Sequence, residues 1–185
     1  MRAGLLFAAA VTLLVGTAAV AVTVDADGDK EGGGRIDDVR GAYSGVAMGD
    51  SRAGALRILG DPSGEQGFAP AGALPAEVGV PQSLPGPGEV LSYEDVALLV
   101  GSKGVYAIMV TKPGAATTRG VAIGDDIGEA QVAYSTRCTK VAGGESLLGG
   151  QELYPSCGAR VGSMYVWFGR DPIRSITLVS RRHSP

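Results

Sequence analysis

The chain has 185 residues, of which 45% are hydrophobic, 19% charged and only 5% aromatic, and its formal net charge is −3. So balanced a charge argues against a nucleic-acid binder, which carries a strong basic excess. The lone histidine, His183, argues against His-rich metal centres and most imidazole chemistry.

Ala3 to Val24 carry no charge, with Arg2 before them and Asp25, Asp27 and Asp29 after them. That asymmetry keeps the amino terminus in the cytoplasm and exports the rest of the chain. At about 1.5 Å rise per residue the stretch forms an apolar helix of about 33 Å, long enough to cross a bilayer. Two readings stay open for residues 1–24. One is a retained signal anchor that places the protein on the membrane. The other is a signal peptide cleaved after Ala21, at the small-x-small site Ala19-Val20-Ala21. No cysteine directly succeeds the apolar stretch, so a lipid anchor of the lipobox type is excluded.

Residues 25–40 begin DADGDKEGGG and read as a flexible acidic, Gly-rich tether. The spacing of Asp25, Asp27 and Asp29 is that of a calcium loop. Lys30 stands where that loop needs Gly, however, and Ile36 where it needs Glu.

The next segment of the chain is duplicated. Gly45-Val46-Ala47-Met48-Gly49-Asp50 recurs as Gly120-Val121-Ala122-Ile123-Gly124-Asp125, at an offset of 75. In the first copy Asp50 or Ser51 caps a helix through Ala53, Leu56, Ile58 and Leu59, which Gly60 and Pro62 stop. In the second, Asp125 or Asp126 caps a helix through Ile127, Ala130 and Tyr134. Each helix precedes a hairpin, Val96–Val110 and then Met164–Val179, whose second strands align at an offset of 68. The Pro- and Gly-rich run Ser63 to Gly88 reads as an irregular surface insertion in the first copy.

The expected fold class is therefore α+β. Two tandem helix-plus-antiparallel-hairpin repeats, residues 41–116 and 117–182, would form a helix-on-sheet layer behind the apolar N-terminal helix. In an exported protein the two cysteines, Cys138 and Cys157, read as a disulfide. Closing a loop of that length contributes about 3 kcal/mol in the chain-entropy model.

The pattern G-V-x-x-G-D-S-x-x-x-x-L-x-x-L-G-D-P, with a later strand beginning G-V-x-x-I, resembles the helix–sheet module of the BamE (SmpA/OmlA) envelope lipoproteins. In tandem it also resembles the β-lactamase inhibitor protein family. The likeness covers residues 45–182. It implies a non-enzymatic module that presents a sheet or loop surface to another protein, and, more specifically, an inhibitor of a secreted hydrolase. The chain departs from the first family in lacking the lipobox cysteine, and from the second in having one candidate disulfide instead of one per module.

Candidate chemistry fails residue by residue. Gly49-Asp50-Ser51 matches the nucleophile string of GDS-type esterases, but a serine hydroxyl needs a base. The only histidine has Ser180 three residues before it, and the second copy has Asp126 in place of Ser51. A carboxylate-based hydrolase could draw on Glu94, Asp95, Asp125, Asp126 and Glu129, yet no pair is matched as acid and base. No phosphate loop is present, and two Cys and one His are too few for zinc. The reading is thus no catalytic residue, no cofactor and no metal.

A surface remains. If Met164, Val166 and Phe168 face the helices, strand alternation turns Tyr165 and Trp167 outward, with Ser175 and Thr177 beside them. These four are the candidate contacts to a protein or cell-envelope component, Trp and Tyr being frequent interface anchors. The expected protein is extracytoplasmic, secreted or held to the membrane by its N-terminal segment, and binds without catalysing.

Overall fold

A computed structural model describes residues 34–68, 88–145, 151–180 and 182. The leader 1–24, the calcium-like aspartates, most of the Ser63–Gly88 insertion, and Arg181 and His183 of the tail lie outside the described residues. Among those described, no helix is long and apolar enough to cross a membrane.

The order is β1 (Arg35–Asp37), β2 (Ala42–Tyr43), β3 (Val46–Ala47), α1 (Arg52–Leu59), β4 (Gly64–Phe68), β5 (Gly88–Ser92), β6 (Val96–Gly101) and β7 (Gly104–Val110). Then come β8 (Ala116–Thr117), α2 (Ile127–Tyr134), β9 (Cys138–Glu145), β10 (Gln151–Val161), β11 (Met164–Gly169) and β12 (Ser175–Ser180). An eight-stranded sheet runs β4-β5-β6-β7-β12-β11-β10-β9, every neighbouring pair antiparallel. A small sheet runs β3-β2-β1-β8.

This corrects the expected architecture. The protein is mostly β and is not a layer of helix-plus-hairpin repeats; its two described helices have only eight residues each. The sequence reading found β6–β7 and β11–β12 because their apolar runs are continuous. It missed β4, β5, β9 and β10, whose Gly, Pro and polar residues read as loop. Backbone pairing with a neighbour holds those strands extended whatever their local preference. The last part of the segment expected as a tether is likewise a strand, with Ile36 fully buried.

The helix entries are built alike. Asp50 Oδ2 accepts from Ala47 N at 2.8 Å, and Asp125 Oδ2 from Ala122 N at 2.7 Å. Ser51 Oγ caps α1 through Gly54 N, and Asp126 Oδ1 caps α2 through Gly128 N. Gly49 and Gly124 make the turn at φ 91° and 108°, a region only glycine enters freely. Gly49 N donates to Val105 O and Gly124 N to Ile173 O, so each entry is tied to its own copy's second hairpin strand or the residues leading into it.

One face of the large sheet carries the main core. Leu91, Leu98, Ile108, Val166, Phe168, Ile176 and Leu178 pack there with Ala55 of α1 and Ile127, Ala130 and Tyr134 of α2. The opposite, outer face holds a second cluster of Val90, Ala97, Leu99, Tyr106 and Ala107. Tyr106 and Ala107 share that face because the register slips there: Leu99 pairs with Ala107 and Val100 with Val105, leaving Tyr106 as a bulge.

The expected disulfide is present. Cys138 and Cys157 are directly paired across β9 and β10, their Cα atoms 4.1 Å apart. It therefore staples the foot of a hairpin and does not close an irregular loop.

Two buried tyrosines make a natural contrast. Tyr134 donates to Asp38 Oδ2 at 2.8 Å, while the other carboxylate oxygen accepts from Thr118 N at 2.9 Å and from the Thr118 hydroxyl. Asp38 is fully buried, and a buried acid needs such partners. Tyr106 is also fully buried, but its hydroxyl has no partner, and burial pushes its pKa up to about 12. Tyr134→Phe is expected to cost about 1–3 kcal/mol, because it strips a donor from a buried carboxylate. Tyr106→Phe is expected to be neutral or to stabilise by up to about 1 kcal/mol, because it removes a donor that bonds nothing. Urea unfolding of the two variants against the parent checks both signs.

Candidate functional site

Strand register places the surface residues in rows across the outer face. One row runs Ser156, Gly169, Ser175. The next runs Gly158, Trp167, Thr177, Met109, and a third Arg160, Tyr165, Val179, Ala107. Met164, Val166 and Phe168 face the helices and are buried, whereas Tyr165 and Trp167 are half-buried on the outer face. Of the four expected contacts, Tyr165, Trp167 and Ser175 are thus brought together with part of each side chain exposed.

Thr177 needs correction. It lies on the outer face, but it is 1% exposed. Its register neighbours are Trp167 on one side and Met109 on the other, and between such large side chains a threonine is closed over. It belongs to the floor of the face and not to its contact surface.

The seat of Trp167 is Gly158. A Cβ on Gly158 would lie 2.6, 2.7 and 2.8 Å from Cζ3, Cε3 and Cη2 of the indole. Three consecutive ring atoms at nearly equal distance mean that the ring's face, and not its edge, covers the glycine. The indole therefore lies flat along the sheet, with its other face turned away from it. Gly158 is fixed by its pairing and by the Thr136 hydroxyl, which donates to its carbonyl. A one-residue register shift would turn both aromatics into the core.

Around the rings the chemistry is mixed. Met109 and Val179 extend the apolar surface toward the Tyr106 cluster. Arg160 is exposed opposite Tyr165, its Nε donating to Gly162 O at 3.1 Å. Ser175 Oγ fills the space above Gly169, where a Cβ would come within 2.8 Å of it. Ser156, two residues along β10 from Gly158, is 1% exposed and its Oγ has no hydrogen-bond partner. Sequence reading missed Gly158, Arg160, Ser156 and Met109. Only the pairing of β10, β12 and β7 with their neighbours puts them near Trp167.

Four of the groups that invited catalytic readings are engaged structurally. Ser51 and Asp126 cap helices, and Asp50 and Asp125 close turns. Among the described residues no group of three or more His, Cys, Asp or Glu is arranged to hold a metal ion.

Comparison with protein-family models, with curated proteins and with solved structures finds no match to this chain. The likeness to the BamE and β-lactamase-inhibitor modules thus stands on its motif residues alone.

Trp167 is the chain's only tryptophan, so its emission reports this face alone. Gly158→Ala sets a methyl against the ring, which must lift from the sheet. The expected result is a red-shifted emission maximum and a loss of about 1–3 kcal/mol in fluorescence-monitored urea unfolding.

Proposed function

We propose that the protein is an exported, non-catalytic binding module that recognises a component of the cell envelope through the outer face of β10, β11 and β12. The observation that carries this reading is the flat, partly exposed Trp167 on its Gly158 seat, with Tyr165 beside it. Aromatic side chains that keep part of their surface in water, on a rigid sheet, supply large contact area at low conformational cost. An extracytoplasmic setting is supported by the charge asymmetry around residues 3–24 and by the Cys138–Cys157 disulfide, which is compatible with an oxidising compartment. The same N-terminal segment, where retained, would hold the module at the membrane. A binding role without catalysis fits the engagement of Asp50, Ser51, Asp125 and Asp126 in caps and turns.

The test is retention of the oxidised chain on isolated envelope material. The parent is expected to be retained, and Trp167→Ala to lose about 30-fold in affinity, the effect of removing an anchor residue. Equal retention of a variant whose circular dichroism and melting temperature match the parent would overturn the assignment of this face.

A further inference from the structure

We infer that the ligand of this face is a glycan strand of the cell wall, stacked by its sugar rings on Trp167 and Tyr165. The inference rests on the proposed binding role and names its partner's chemistry.

The shape of the face is the first reason. A protein anchor inserts into a concave, desolvated pocket. Here the indole lies flat against Gly158 and offers a ring face, not a cavity. Tyr165 stands two residues away along the same strand, at about 7 Å, so an extended chain of rings meets both aromatics in succession. A pyranose ring with equatorial substituents has just such an apolar face of C–H groups, and its hydroxyls project around the rim. Aromatic faces carry partial negative charge, which attracts those C–H hydrogens.

The polar groups are the second reason. They flank the rings, as a sugar's hydroxyls would require. Ser156 and Ser175 stand on either side of Gly169, one row from Trp167, and Arg160 stands opposite Tyr165. Ser175 and Arg160 keep part of their side chains exposed for such contacts, whereas Ser156, as closed over as Thr177, belongs to the floor between them. Arg160 is the one formal charge in the three rows, so the face suits a hydroxyl-rich ligand better than a charged one.

The experiment titrates the intact, oxidised chain with N-acetylglucosamine oligomers of increasing length, and with peptidoglycan sacculi stripped of protein by detergent and protease. Trp167 emission and calorimetry are read together. Expected are a saturable change in emission, affinity rising with oligomer length, and retention on the sacculi. Trp167→Ala and Tyr165→Ala should each weaken binding about tenfold or more, and Trp167→Tyr should retain most of it, since it keeps a ring on the seat. If glycans leave the emission unchanged while intact envelope still retains the chain through Trp167, the partner is a different component of the envelope. The glycan assignment is then overturned and the binding role stands. If neither glycan nor envelope depends on Trp167, both readings fall. Glycan binding that is indifferent to Trp167 and Tyr165 overturns the site.

Discussion

The antiparallel pairing of β7 with β12 is the contact on which the rest of the molecule depends. Val110, Met109, Ile108 and Ala107 meet Ile176, Thr177, Leu178 and Val179 across it. Four strands lie on each side of it, so two meanders become one sheet. Each meander alone, with one two-turn helix, would bury too little apolar surface to be stable. Joined, they share a core to which both helices contribute, with Ile108, Val110, Ile176 and Leu178 at its centre. The same pairing sets Met109 beside Thr177 and Ala107 beside Val179 on the outer face, continuing the rows that begin at Gly158 and Arg160.

The small sheet works in the same direction from the other end of the chain. β1 lies between β2 of the first copy, antiparallel, and β8, parallel, which leads into the second. Asp38 comes directly after β1 and reaches across to Thr118 and Tyr134. Arg119 stacks over the Tyr134 ring at 4.6 Å and donates to Ala133 O, which closes the same corner from outside. A buried carboxylate holds its place only when its partners do, so this knot fixes the end of β1 against the second copy.

The two faces of the large sheet answer to different physics. The helix face is close-packed, and its side chains are chosen by volume and apolarity. The outer face carries polar residues interleaved with aromatics near β11, and it is governed by the groups that lie flat against it. A glycine opposite a tryptophan adds nothing to a core, but it lets a ring lie parallel to the strands.

Read alone, the sequence determined the features that local chemistry controls. A cap had to fall at Asp50 or Ser51 and at Asp125 or Asp126, Gly49 and Gly124 had to turn, and the apolar runs of β6, β7, β11 and β12 had to pair as hairpins. The alternation that turns Tyr165 and Trp167 outward also comes from the period of two along a strand. The remaining strands were not legible, because Gly- and Pro-containing segments such as β4 and β10 have no strand preference of their own. They extend only because a neighbour supplies their hydrogen bonds. For the same reason the α+β layer expected from the helices gave way to a mostly β structure, and Thr177 turned from a contact into floor. The seat of Trp167 on Gly158 lay equally beyond local reading. Those residues are nine positions apart in the chain, and only the pairing of β10 with β11 makes them touch.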